Sequence, residues 1–576
     1  MLRISQIKLN IDESVSLLPK KIGQKLRIRN FRPDSWKIVK ESVDAREKPH
    51  IRFIYTVDFQ VKDEEKLLHR VASIKGVTLT KAPDDVYEIP DFSSTKLEEE
   101  ERPVVIGFGP CGMFAALILA EAGLRPVVLE RGRDADRRAR DVEHFWSTGE
   151  LDTESNVQFG EGGAGTFSDG KLTTGIKDVR IAKVKEELIL AGADPAVAYR
   201  QMPHVGTDVL RDVVKNIRKK IISLGGDVIF ESRLTGMEME NNVKKGAQGG
   251  TEKKRRLSAL RINGNESRAC RIAVIAPGNS ARDTFRMLSD RKIAMEAKPF
   301  SVGVRIEHPQ TMIDTAQYGM EPNDTEGRLG AASYKLSHHT ASGRGVYTFC
   351  MCPGGYVVGA ASREGGVVTN GMSYHDRKGR NANSAVLVDV RPEDFPDIAT
   401  NPLAGMDFQE KLEQAAFAAG GGSYFAPVQR VGDFLQDRES RTPKPEEEKD
   451  LPVTPTYRPG VRWGSVTECL PDYVTDALRE ALPQMGRRIQ GFDMEDAVMT
   501  GVETRSSSPV RILRDADLES VSVSGLYPGG EGAGYAGGIM SAAVDGIRIA
   551  EKIMEAVGRE CRWSGDDPES GDDSER

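Results

Sequence analysis

The residues with the clearest chemical potential are Gly107, Gly109, Pro110, Cys111 and Gly112, which form a Gly-Phe-Gly-Pro-Cys-Gly run between apolar "PVVI" and helix-like "MFAALILAEAG". A second apolar segment, "PVVL", then ends at Glu130 and Arg131. In such a strand–turn–helix–strand unit Gly107 permits the tight turn, Gly109 lets a diphosphate approach the backbone, and Gly112 lets helix and strand pack closely. The helix N-terminus supplies bare N–H groups and a positive dipole end for the phosphates. Glu130 lies 23 residues after Gly107, at the end of the second strand, where a carboxylate can accept both hydroxyl hydrogens of an adenosine ribose and repels a phosphorylated one. This unit predicts a dinucleotide site.

Two further glycine runs test which dinucleotide it is. Gly160, Gly162, Gly163, Ala164 and Gly165 precede "TFSDGKLTTG", which is no helix. They predict a loop whose N–H groups face a ligand, with Ser168 and Lys171 adding contacts; a plain flexible loop is the simpler alternative. Gly532, Ala533, Gly534 and Gly537 follow strand-like "SVSGLYPGGE" and precede the helical pattern "GIMSAAVDGIRIAEKIMEAV", with no strand after it. One complete unit plus a remote glycine-to-helix junction fits a long cofactor lying extended, FAD. The junction is expected at the pyrimidine end of the flavin, with Glu531 accepting a ribityl hydroxyl hydrogen and Ala533 beside the ring. A single complete unit also predicts no stable NAD(P)H site, which leaves NAD(P)H as a transient reductant.

Catalytic candidates are sparser. Cys350 and Cys352 lie in "GVYTFCMCPGGYVV", where strand alternation places both thiols on one face. They could relay electrons, but a disulfide two residues apart in a strand would be strained, and the preferred expectation is two packed thiols. Arg505, followed by Ser506 to Ser508, suits contact with a flavin or an anionic substrate. His204 is placed to orient a loop at a helix start, and His338 and His339 are weaker candidates for proton transfer. The six cysteines show no zinc spacing and are too few for a disulfide scaffold.

Seven segments together resemble a known family: "VVIGFGPCGMFAALILAEAGLRPVVLERG", "NVQFGEGGAGTFSDGKLTT", "KPFSVGVRIEHPQ", "FCMCPGGYVV", "GGGSYFAPVQRVGDF", "TGVETRSSSPVRI" and "GLYPGGEGAGYAGGIMSAAVDG". The chain is similar over its whole length to the FAD-dependent dehydrogenase-like, or NAD(FAD)-utilising dehydrogenase, family within the glutathione reductase-like superfamily. The resemblance implies bound FAD and an oxidoreductase-type fold. It places Gly530 and Glu531 on the ribityl chain and Leu234 at the adenine edge. Pro277 and Gly278 fall in the segment that usually ends Ala-Thr-Gly; Pro277 replaces the Thr and removes its usual hydrogen bond. The CxxxxC pair of disulfide reductases is absent, which excludes that reaction.

The elements that must position these residues need a long chain, and 576 residues with 39% hydrophobic and 29% charged content supply several cores. The expected class is α/β: a Rossmann-like, discontinuous FAD-binding domain, an inserted substrate domain and a small N-terminal α+β domain. The expected bounds are 1–95 for the α+β domain, 100–295 and 495–563 for the two parts of the FAD-binding domain, and 296–494 for the substrate or interaction domain. A disordered acidic tail is expected at 564–576, a disordered hairpin insertion in "NNVKKGAQGGTEKKRR", and a long surface connection without regular structure in the proline-rich stretch ending at Pro459. Residues 1–90 carry 18 Lys+Arg against 13 Asp+Glu, although the whole chain has net charge −7, so nucleic acid is not an expected partner. No apolar run reaches membrane-span length and no leader pattern opens the chain, which predicts a cytoplasmic protein without a membrane partner. The expected activity is two-electron transfer through non-covalent FAD to a small-molecule substrate. The alternatives are a regulatory flavoprotein whose basic N-terminal domain engages RNA or protein, and a reductase of unsaturated isoprenoid-like or polycyclic molecules. Sequence leaves substrate and oligomeric state open.

Overall fold

A computed structural model describes residues 1–563 apart from 84–86, 96, 246–250, 321–327 and 396–400; the expected tail 564–576 lies outside the described residues. The N-terminal unit runs strand Leu2–Asn10, helix Leu18–Lys25, strands Ser35–Asp44 and Arg52–Gln60, helix Glu64–Val71 and strand Leu79–Lys81. Alternation in "RFIYTVDFQ" buries Phe53, Tyr55, Val57 and Phe59 against Leu18, Ile22, Leu67 and Val71 of the two helices. Strand Ser35–Asp44 pairs along Arg52–Gln60. It escapes the sequence reading because none of its residues is fully buried and charged residues interrupt its pattern.

The central sheet is parallel and has five strands, ordered Leu526–Pro528, Ala273–Ile275, Val104–Ile106, Val127–Leu129 and Asp227–Ile229. Its inner strands are short runs of Val, Leu, Ile and Ala, as a sheet covered on both faces requires. Helix Pro110–Glu121 is apolar almost all round, with ten successive buried residues from Cys111 to Ala120, because it is enclosed by the sheet and by helix Ile539–Trp563. Contact there is at backbone distance: a Cβ on Gly546 would stand 2.1 Å from the Cys111 carbonyl oxygen. The sheet thus draws its fifth strand, and the helix against it, from the C-terminal end of the chain.

A second sheet has seven strands, ordered Ser337–His339, Gly345–Cys352, Asn381–Val390, Phe300–Pro309, Val498–Glu503, Ala426–Arg430 and Val461–Trp463. The expected boundary at 494/495 therefore falls too early. Val498–Glu503 pairs antiparallel with Phe300–Pro309 and carries six buried residues into that sheet. Two other expectations also change. The insertion is the hairpin expected, but its arms are ordered: Leu234–Lys245 and Thr251–Ile262 form an antiparallel ladder, with 246–250 outside the described residues. The proline-rich connection holds one short helical turn, Pro445–Glu448, which its prolines were expected to forbid, and it is anchored: Val453 and Tyr457 are buried, and Thr456 donates through Oγ1 to Glu307 at 2.6 Å. Among the described residues no helix is long and apolar enough to cross a membrane.

Candidate functional site

One cleft of about 350 Å3 runs between the two sheets. It begins at Arg233 and Leu234, passes Glu130, Gly107, Gly109 and Gly163, continues along Pro277, Gly278 and Gly529 to Gly532, and ends at Lys171, Cys350, Thr369 and Asn370. The parallel strands deliver their carboxyl ends here, the position where open α/β sheets bind ligands. The sequence-expected residues Pro110, Cys111, Arg131, Ala164, Gly165, Gly530 and Glu531 also line it. The two N-terminal glycine runs meet face to face: a Cβ on Gly163 would lie 2.9 Å from the Gly109 Cα. Gly109 itself is extended (φ −77°) and caps helix Pro110–Glu121 without a side-chain hydrogen bond, so that helix end presents bare N–H groups to the cleft.

Four expected contacts are not cleft-lining. Gly112 packs helix on strand, since a Cβ there would stand 1.9 Å from the Gly107 carbonyl oxygen. Gly162 (φ 82°) turns its loop back onto Thr166. Ala533 is fully buried in the core beneath the parallel sheet, and Gly534 (φ 88°) abuts Val510 and Arg511. The expectation that Ala533 lies beside the ring is therefore wrong: the turn that exposes Gly530 to Gly532 directs the next residue inward. The helix expected near Gly537 begins at Ile539, and Gly537, Gly538 and Ile539 all face the cleft.

The Glu130 carboxylate is more committed than sequence implies. Its Oε2 accepts the Phe108 N–H at 2.8 Å, and Oε1 accepts those of Gly132 and Gly160, both at 2.9 Å. Three of about four lone-pair sites are thus filled, and what remains suits one ribose hydroxyl rather than two. The three bonds tie the two glycine runs together. Arg138, fully buried, does the same from below by donating to the carbonyls of Asn156, Val157, Glu161 and Gly163 at 2.7 to 2.9 Å. Nothing local in the sequence marks this arginine. The second run is therefore no plain loop; Gly163–Phe167 forms a tight 3-10 turn.

At the opposite end Glu531 accepts from Asn279 Nδ2 at 3.1 Å. Burial and the nearby Cys350 push its carboxyl up to about 7, against the attraction of Lys298. Arg505 borders the cleft, but its charge is spent on Glu413 at 2.8 Å, which Arg282 also holds at 2.8 Å. It therefore braces the cleft wall and offers no free cation to a substrate. Ser506 lines the cleft but donates to the Ser301 carbonyl, and Ser508 is buried, donating toward Val510 and Gly532. His204 bridges to Lys171 and contacts the His375 carbonyl through Nε2 at 2.9 Å; burial lowers its pKa to about 4, consistent with a loop-orienting residue that stays neutral. His338 contacts Glu480 instead, and neither it nor His339 lines the cleft.

Lys171 is different. The neighbouring carboxylate, Asp169, is already held by Arg377 at 2.6 Å and by the Ser373 hydroxyl, which leaves the Lys171 charge for the cleft. Cys350 is half-buried and faces the cleft, whereas Cys352 is fully buried. They do not share a face as strand alternation predicts, because a bulge interrupts the strand between Phe349 and Cys352. No group of three or more metal-ligating side chains occurs among the described residues.

The cleft suits FAD on its own features: a glycine-built middle with a bare helix end, one spare carboxylate site beside it, and a second bare helix end at Gly537 and Gly538, where an added Cβ would meet nothing within 4 Å. Residues 299–506 match the family description "FAD-dependent protein, C-terminal domain-like", and residues 1–60 match a domain of unknown function. An uncharacterised protein of Clostridium beijerinckii is 48% identical over 555 residues, covering 96% of this chain and 98% of that protein. Solved structures with similar layouts include a variant of the halogenase PltM in complex with FAD (TM-score 0.37, 9% identity, 80% of this chain and 70% of that one). L-proline dehydrogenase from P. horikoshii gives a TM-score of 0.33 at 13% identity over 80% of this chain and 95% of that one. Scores of this size carry nothing about reaction or substrate. On the match of residues 299–506 the protein is FAD-dependent, and on the identity and coverage with its clostridial relative the chain belongs to that protein's family.

Proposed function

We propose that the protein is a two-electron oxidoreductase of the glutathione reductase-like type, with a Rossmann-like FAD-binding domain drawn from both ends of the chain and a small polar substrate. The observation that carries this reading is the continuity of the cleft from Glu130 and Leu234, through the facing glycines, to Glu531, Lys171 and Cys350. Bound FAD would supply hydride or electron-pair exchange. The chain does the rest: Gly109, Gly163 and the helix end at Pro110 receive the diphosphate, Glu130 takes one ribose hydroxyl, and Gly530 to Gly532 admit the ribityl chain. Glu531, with its raised pKa, can hold a proton at Oε2 near neutral pH. Lys171 orients an anionic substrate group. Lys171, Thr369 and Asn370 place a charge and two polar groups beside Phe349 and Val368 at this end, and the charge favours a small substrate with an anionic group over an isoprenoid or polycyclic one. NAD(P)H enters this reading only as a transient reductant, and the cytoplasm is the proposed compartment.

The test is anaerobic bleaching of the visible flavin band with a panel of small organic acids as donors. At least one is expected to reduce the flavin, and Lys171→Met is expected to raise its KM about tenfold or more, the loss of one charge-assisted contact of about 1.5 to 3 kcal/mol, while FAD stays bound. If dithionite bleaches the flavin but no acid or nicotinamide does, the regulatory reading gains the ground this one loses.

A further inference from the structure

Cys350 lines the cleft, but neither it nor Cys352 has a chemical role in the reading above. In a regular strand their Cα atoms would stand roughly 6.6 Å apart, close to the ~6.8 Å limit for a disulfide. The strand is not regular here. Phe349 pairs with Ala385 and Cys352 with Asn383, so three residue steps on this strand face two on its neighbour. Cys350 takes a left-handed φ of 47°, a conformation a non-glycine residue adopts only when its surroundings impose it. The carbonyl of this residue is held by Arg305, fully buried. Arg305 pairs bidentately with Glu503 at 2.8 and 2.9 Å and donates to the Cys350 carbonyl at 3.3 Å.

Cys352 Sγ donates to the same carbonyl at 3.3 Å, which holds its thiol against the backbone of Cys350. The pair is asymmetric. The Cys352 side chain lowers the Cys350 thiol pKa against burial, and the charges of Lys171 and Arg305 act in the same direction. Cys352 is pushed up by Cys350 and by burial. Cys350 thus faces the cleft while the buried Cys352 thiol is held against its backbone, which places an accessible sulfur and a partner thiol two residues apart, as thiol–disulfide exchange needs.

We propose that Cys350 and Cys352 form a dithiol–disulfide couple that exchanges one electron pair with the FAD of this cleft, a proposal that rests on the functional reading above. In one direction the reduced flavin gives up two electrons and two protons, the S–S bond breaks, two S–H bonds form and the flavin is left oxidised. In the other, two thiols lose the same electrons and protons to oxidised flavin and the S–S bond forms. No further oxidant or reductant is needed.

Anaerobic dithionite titration of the FAD-loaded protein tests this. Wild type is expected to take up about two electron pairs per FAD, while Cys350→Ser and Cys352→Ser take up about one each and remain yellow. In parallel, air-oxidised wild type denatured with iodoacetamide is expected to yield a 350–352 peptide that resists alkylation until reduced. Uptake of one pair by wild type, or of two by Cys350→Ser, overturns the proposal while leaving a yellow flavoprotein. A colourless protein would remove the functional reading and the proposal with it.

Discussion

Gly109→Val is expected to fold like the wild type and to lose FAD. A Cβ at Gly109 would meet only the Gly163 Cα, at 3.8 Å, an ordinary contact, and the extended φ of −77° suits a β-branched residue. The added methyl groups then have one place to go, the diphosphate position between the two glycine runs. Affinity for FAD is expected to fall about a hundredfold or more, roughly 2.7 kcal/mol, while urea stability of the FAD-free protein stays within about 0.5 kcal/mol. Gly112→Ala supplies the contrast, because its Cβ would stand 1.9 Å from the Gly107 carbonyl oxygen, an overlap that costs about 1 to 3 kcal/mol of fold stability. Fluorescence quenching of added FAD and urea titration of both variants separate the two effects. A Gly109→Val protein that binds FAD like wild type would move the diphosphate elsewhere.

Glu413→Ala is expected to cost about 3 to 5 kcal/mol, because it leaves the buried guanidiniums of Arg282 and Arg505 without their shared counter-ion. Burial alone would raise the Glu413 carboxyl, but Arg505 and Arg282 override it and hold it far below the usual carboxylate range. The sign follows: the folded state binds this proton less readily than the unfolded one, so the stabilisation is complete above about pH 4.3 and drains away as pH falls below it. Thermal unfolding followed from about pH 5 downward, through and below the ordinary carboxylate range, is expected to show a steeper acid loss in wild type than in the variant. Equal acid slopes would show that the triad does not carry this charge.

How much of this was readable in advance divides along contact range. The first glycine unit, with its flanking strands and helix, is local, and "PVVIGFGPCG" specifies turn, strand and helix start within a dozen residues. What failed depends on distant partners. Glu130 reads as a free ribose acceptor because Gly132 and Gly160 become its hydrogen-bond donors only after folding. Arg505 reads as a ligand contact because Glu413 lies 92 residues away in the chain. Arg138 is unremarkable in "ADRRARDVEHFW" until four carbonyls from another loop surround it. Cys350 and Cys352 follow alternation on paper, and a bulge set by the neighbouring strand defeats it. Ala533 sits among glycines that do line the cleft, yet one turn residue sends it into the core.

The most direct measurement is the identity and amount of what this cleft holds. Protein purified without added cofactor, denatured and analysed by mass spectrometry against its visible absorbance, is expected to release about one FAD per chain, non-covalently bound, and the Gly109→Val protein none. A wild type that releases no flavin and takes up none when FAD is supplied would contradict the account at its centre.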